Sequence, residues 1–255
     1  MSLPMIYTIC GAFKPLNELF LFPPQFFVRN PTLDNFKDLF ILMGESWVPF
    51  TRYLSNSLIV IILGTGGHVL ISSLGAYVVS KHDFPGRKLF SEVVLLSLMF
   101  AQQVTAIPNY LVMSKIGWID TLYSLIVPAW GMSLGFYLMS KFMQQIPDAL
   151  LEAARLDGAG EFRIYWNIVM PYVKPAWLTL IILSFQQLWA NTGGRFIYSE
   201  VLKPLPYALQ QIAAGGIARQ GVAMVVAFLM MIVPVVLFIF NQSKIVETMG
   251  TSGID

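Results

Sequence analysis

Long apolar runs dictate what this chain can fold into. Ser57 to Ser80, Leu89 to Ser114, Leu122 to Phe142, Val173 to Trp189 and Gly221 to Phe240 each hold about the 20 mostly apolar residues needed to cross a bilayer. Inside lipid every backbone N–H and C=O must be paired within the protein, so such runs fold as helices. The composition agrees: 56% of the 255 residues are hydrophobic and 12% charged, with a mean hydropathy of +0.66, against about 25% charged in a soluble domain. Phe, Tyr and Trp make up 14%, which suits aromatic belts at two membrane surfaces. The expected fold is an all-α, polytopic transmembrane helical bundle in one domain spanning residues 1–255.

Local residues refine each run. Ser57 to Ser80 carries Gly64, Gly66, Gly67, Ser72, Ser73, Gly75 and Ala76, small enough for neighbouring helices to approach closely. Pro108 is expected to bend or break the second run. Met1 to Gly11 is apolar but rises only about 16 Å as a helix, so it reads as the outer half of a first span. A signal peptide is disfavoured there, because no basic stretch precedes the apolar one. Lys81, Arg87 and Lys88 crowd one short loop, which places it in the cytoplasm. Counting spans then puts 144–172 and the C-terminus inside, and the loops 14–52 and 191–220 outside.

Several function classes lack the residues they need. Cys10 is the sole cysteine, and no Cys/His set has zinc spacing. No metal site is expected, and His68, inside an apolar run, reads as a packed or hydrogen-bonded side chain. A net charge of +2 without a Lys/Arg stripe offers no footprint for nucleic acid. There is no G-x-x-x-x-G-K-[ST], since Gly64-Thr65-Gly66-Gly67 lacks the lysine, and no H-E-x-x-H helix.

The segment 144–172 is polar yet helical in pattern. Pro147 suits a first turn, Asp148 the positive end of a helix dipole, and Gly158 a left-handed terminator. A helix of about ten residues is too short to stand alone in water, so it must dock on something. A second run, Glu161 to Met170, stops at Pro171 and leads into the next span. Such a stiff pair could carry the push of a cytosolic partner into the bundle. An interfacial helix resting on headgroups has a similar pattern.

Glu152-Ala153-Ala154, then Asp157-Gly158-Ala159, Ile168 and Met170-Pro171 resemble the EAA loop of permeases in binding-protein-dependent ATP-binding-cassette (ABC) importers. Asp83-Phe84-Pro85-Gly86-Arg87 resembles a cytoplasmic loop of the maltose-type permeases. Ile107 to Tyr110 through Gly117 to Thr121 resembles their central span and outer turn, and Pro31 to Phe36 their first external segment. Ser243 to Asp255 resembles the tail of oligosaccharide permeases of this type. The resemblance implies the type I importer permease fold with six spans, of which this chain shows five and a half.

It also implies that Glu152, Ala153, Ala154, Arg155, Asp157 and Gly158 form a coupling helix seated in an ATP-hydrolysing subunit. Two such subunits would bind ATP and Mg, leaving this chain without a cofactor or catalytic residue. The other implied partners are a second, distinct permease, an extracellular solute-binding protein and the lipid of a bacterial cytoplasmic membrane.

Gln102, Gln103, Asn109 and Tyr110 cluster near Pro108, and Gln186, Gln187, Trp189 and Asn191 near the outer end of the next-to-last run. Amides and aromatic faces are the chemistry that neutral sugars require. Interhelical hydrogen bonding would explain the same residues. The runs embed no charge apart from Glu92 and Lys174 near their ends, which favours neutral cargo over polyamine, phosphate or amino acid; that the cargo is a sugar, an oligosaccharide, is what the resemblance implies. An ion-coupled secondary transporter would need buried acidic residues that the runs do not contain.

Overall fold

The computed structural model describes residues 3–45, 47–100 and 102–251, with the backbone alone for 102, 103 and 241–251. Among the described residues all regular structure is helical. The helices are α1 (Leu3–Phe13), α2 (Leu16–Leu19), α3 (Asp34–Gly44), α4 (Phe50–Lys81), α5 (Arg87–Met99), α6 (Gln102–Lys115) and α7 (Tyr123–Trp130). There follow α8 (Ser133–Gln144), α9 (Asp148–Leu156), α10 (Glu161–Ile164), α11 (Met170–Tyr172), α12 (Lys174–Trp189), α13 (Leu205–Ala213) and α14 (Gln220–Thr251).

By length and composition, two helices can cross a membrane uninterrupted, Phe50–Lys81 and Ile217–Phe240. Two bent pairs raise that number to four among the described residues. The first pair, Arg87–Met99 and Val104–Lys115, turns by 112°. Pro108 was the expected breaking point, but it lies inside α6 and the helix continues through it. A proline removes one ladder bond, whereas so sharp a turn needs residues outside the helical region. Phe100, extended at φ −79° and ψ 122°, ends α5.

The run Leu122 to Phe142 is likewise two helices, of 8 and 12 residues, each shorter than a bilayer. Pro128 gives no N–H to the ladder, Gly131 N closes α7 on Pro128 O at 3.2 Å, and Met132 is extended. Pro171 does not stop the second polar run either: the helix extends to Tyr172, and the break falls at Val173, followed by a 77° bend into α12.

The chain divides into two compact units. One comprises Met1–Ile59, Asp120–Leu122 and Trp189–Leu237. In it Phe13, Phe36 and Phe228 form a ring triad with centroids 5.2–6.1 Å apart. Asn35 Nδ2 donates to Ala12 O and Lys14 O at 3.1 and 2.7 Å. The Glu18 carboxylate accepts the backbone N–H groups of Arg29 and Asn30, fixing the turns of the first loop.

The other unit comprises Val60–Ile119, Tyr123–Leu188 and Phe238–Asp255. Gly64, Gly67 and Gly75 on α4 allow the close approach expected of them, whereas Gly66 faces open space. The Trp130 indole donates to Leu63 O at 2.9 Å and lies against Gly67, where an added Cβ would fall 2.1 Å from Nε1. His68 is buried and hydrogen-bonded, its Nε2 donating to Met132 O at 3.2 Å and its Nδ1 meeting Ser184 Oγ at 2.7 Å. At one end of α4 a core gathers Ala76, Tyr77, Met139, Met143, Leu151 and Val169.

Candidate functional site

Helix α9 is held by its start, its middle and its end. Pro147 occupies the N-cap, one position before the expected first turn, with φ −60° and ψ 132°. From the first turn, Asp148 Oδ1 accepts from Lys81 Nζ at 2.7 Å, and the same ammonium donates to Ile146 O at 2.5 Å. The Lys81 side chain is only 3% exposed, a buried cation that needs both acceptors. Its hydrogen bond also holds the Asp148 carboxyl below the usual aspartate value.

Leu151 is 2% exposed and fills the core at the end of α4, with Ala154 half-buried beside it. Burying one leucine contributes about 1.5–3 kcal/mol. At the other end Gly158, at φ +80°, adopts the left-handed conformation its position called for. Gly158 N donates to Arg155 O and Ala159 N to Ala154 O, both at 3.0 Å, the paired bonds of a Schellman ending.

A clamp fixes the second short run to the same place. Glu161 Oε2 accepts from Tyr77 OH at 2.6 Å, and Oε1 from Arg155 Nε at 2.8 Å. His82 Nε2 stands 3.5 Å from Oε2. Deeper in, Ser73 Oγ and Tyr165 OH are 2.6 Å apart. Between α10 and α11 the backbone takes a π turn, Tyr165–Val169, in which Met170 N reaches back to Tyr165 O. Pro171 follows directly and has no N–H for an ordinary i−4 bond, which accounts for a shifted ladder here.

The opposite face of α9 is open. Glu152, Ala153, Arg155, Asp157 and Gly158 are exposed, and so are large apolar groups: Leu156 is 89% exposed and Phe162 75%. Phe162 stacks on Trp166 at 6.5 Å between centroids. Sequence reasoning missed Leu156, Phe162 and the ties from Tyr77, Lys81 and Glu161. The two exposed groups had a local signal, since apolar side chains on a short polar helix stand out.

The expected path residues lie in different surroundings. The side chains of Gln102 and Gln103 lie outside the described residues. Asn109, Tyr110, Gln186 and Gln187 are exposed. Trp189 is buried and donates Nε1 to Met230 O at 3.1 Å, and Asn191 Oδ1 accepts Gly193 N at 2.9 Å. Interhelical bonding accounts for Trp189 and a local turn for Asn191.

The loop 191–220 is clasped through Asp120, whose φ of +59° is positive. Asp120 N donates to Phe196 O at 2.7 Å, and Oδ1 accepts the N–H groups of Tyr198 and Ser199 at 2.9 and 2.8 Å. The Ser199 hydroxyl donates to Oδ2. These bonds, the hydroxyl foremost, hold the Asp120 carboxyl below its ordinary value.

An all-helical chain with membrane-length apolar helices and a short polar helix pinned to the end of one of them has the build of a membrane component. Residues 19–249 match the binding-protein-dependent transport system inner membrane component, and the chain belongs to that family. The ABC transporter permease protein ORF2 of Caldicellulosiruptor sp. is 31% identical to it over 99% of this chain and 91% of its own length. The arabinooligosaccharides transport system permease protein AraQ of Halalkalibacterium halodurans is 26% identical over 98% of this chain and 90% of its own. In fold, the chain is similar to a chain of a bacterial ABC transporter involved in import of the acidic polysaccharide alginate, with a TM-score of 0.81 and 19% identity over 95% of this chain and 90% of that one. As an ABC permease component in the inner membrane, it leaves nucleotide binding and hydrolysis to separate subunits.

Proposed function

We propose that this chain forms half of the translocation path for an oligosaccharide, and that an ATP-hydrolysing subunit grips the open face of α9. It acts as one permease domain, with 144–172 and the C-terminus in the cytoplasm and the loops 14–52 and 191–220 outside. Glu152, Ala153, Ala154, Arg155, Asp157 and Gly158 make the coupling contact, with Leu156 and Phe162 as its apolar anchors.

The observation that carries this reading is the division of the α9–α10 element into two sides. One is fastened to the chain's own core by buried Leu151 and by the Lys81–Asp148 and Tyr77–Glu161 ties. The other exposes Leu156 of α9 and Phe162 of α10, which a docking partner would cover. A lever needs both a rigid root and a free grip.

Oligosaccharide cargo is supported by the scarcity of charge in the spans and by the likeness to an arabinooligosaccharide permease. A different small solute remains the second reading. A distinct second permease completes the path, lined on this side by Gln102, Gln103, Asn109, Tyr110, Gln186 and Gln187, while Trp189 and Asn191 hold backbone in place. A solute-binding protein docks on the outer loops.

Co-purification tests the coupling contact. Wild-type chain should bring down the ATP-binding subunits, and Leu156→Asp should lose them while still assembling with the second permease. Equal recovery with both would sink the assignment. Carbohydrate binding by the companion extracellular protein tests the cargo.

A further inference from the structure

Away from α9, a groove of about 800 Å3 runs between α4 and the stretch from Tyr165 to Phe185. We propose that it binds an anionic phospholipid, with an acyl chain along its walls and the phosphate at Lys174.

The walls carry the first part of the argument. Ile61, Ile62, Val69 and Leu70 on α4 face Ile181 and Phe185 on α12 across it. From Ser73 to Ile61 the wall rises roughly 18 Å at about 1.5 Å per residue, close to the depth of one leaflet in a ~30 Å hydrocarbon core. Gly66 leaves the wall open, with no atom within 4 Å of where a Cβ would stand.

The second part is the change of chemistry at one end. The groove there is rimmed by Tyr165, Trp166 and Trp177, aromatic residues of the kind that settle at headgroup level. Lys174 stands among them at the 77° bend before α12, and it is exposed. Among the described residues no carboxylate pairs with it. A lone ammonium at the mouth of an apolar slot complements a phosphodiester carrying a hydrocarbon tail. A neutral lipid or a sugar would leave that charge unanswered.

The assignment to the cytoplasmic leaflet rests on the orientation proposed above, since Ser73 and Lys174 lie toward the Lys81 end of α4. Occupancy itself does not depend on orientation. The site borders the π turn at Tyr165–Val169, so a bound lipid would brace the backbone that joins the coupling element to α12.

The assembled importer, purified in detergent and exchanged with equimolar phosphatidylglycerol and phosphatidylethanolamine, provides the test. Native mass spectrometry should find phosphatidylglycerol retained in preference. Lys174→Gln should lower that preference several-fold, and Gly66→Leu, which fills open space, should lower retention of both lipids. Unchanged preference in Lys174→Gln overturns the proposal, as does cross-linking of a photoreactive group at Gly66 to the second permease in place of lipid. If Gly66→Leu fails to assemble, the lysine variant decides alone. The readout is lipid and not ATP turnover, so its failure leaves the docking of α9 untouched.

Discussion

The Tyr77 hydroxyl donates to Glu161 Oε2 at 2.6 Å, joining α4 to the start of α10 across 84 positions of sequence. Arg155, on α9, donates to the other oxygen. One carboxylate thus ties two short helices to the end of a membrane-length helix. Tyr77→Phe removes one donor to a charged acceptor, and Glu161→Ala removes the hub. A hydrogen bond to a charged group is worth about 1.5–3 kcal/mol, less here because Glu161 is half exposed. At about 1 kcal/mol, the expected loss of uptake per ATP hydrolysed is about fivefold for Tyr77→Phe and greater for Glu161→Ala. Transport and ATPase assays on reconstituted importer read the ratio. An unchanged ratio in Glu161→Ala would remove the clamp from the mechanism.

The faces of α9 should respond in opposite ways. Leu151 is 2% exposed, and Leu151→Ala leaves a cavity in the core, costing roughly 2–5 kcal/mol. Leu156 is 89% exposed, and a change there should move stability by no more than about 0.5 kcal/mol. Thermal melts of the permease pair without its ATP-binding subunits separate the effects: Leu151→Ala lowers the midpoint and Leu156→Asp leaves it in place.

How far the sequence spoke depends on what kind of signal each feature leaves in it. Gly158 was legible because a left-handed helix ending is a local demand that glycine meets best. Apolar runs were legible because lipid imposes a length. The breaks at Phe100 and at Gly131–Met132 were not, since hydropathy averages over a window and cannot register one extended residue within it. Pro108 drew attention that belonged to Phe100. Glu161 marked only the start of the second run, because its partner Tyr77 lies too far off in sequence to leave a pattern. Trp189 and Asn191 looked like pathway residues because an amide or indole that holds a backbone in place has the same composition as one that holds a sugar.

Asp120 gives the clasp on the loop 191–220 a dependence on acid. Its folded-state pKa is held below the ordinary 3.8, chiefly by the Ser199 hydroxyl and backbone N–H. A depressed carboxyl binds fewer protons folded than unfolded, so its contribution is complete above about pH 4 and drains away as pH falls through the folded value. Exchange of the Tyr198 and Ser199 amides should therefore speed up, after correction for intrinsic rates, as pH falls below 3.8. Asp120→Asn tolerates the positive φ but carries no charge. It should show faster exchange at neutral pH and no further acid step. An acid step that survives in Asp120→Asn would assign the effect elsewhere.

Gly158 isolates the geometry of the proposed coupling element from its surface. At φ +80° with nothing within 4 Å of an added Cβ, the position has room for a side chain but not the backbone conformation for most of them. Alanine there costs about 1–2 kcal/mol, and a β-branched valine more. The chain can avoid that cost only by unwinding the Schellman bonds from Gly158 and Ala159 that set the angle between α9 and α10. Asparagine enters the left-handed region far more readily. The series Gly158→Asn, Gly158→Ala and Gly158→Val should therefore lose uptake in that order while basal ATP hydrolysis by the bound subunits persists. A pure contact surface would rank the variants by size, making asparagine at least as harmful as alanine. Uptake in Gly158→Asn above that in Gly158→Ala is the result that assigns the role to backbone angle, and the reverse order would remove it.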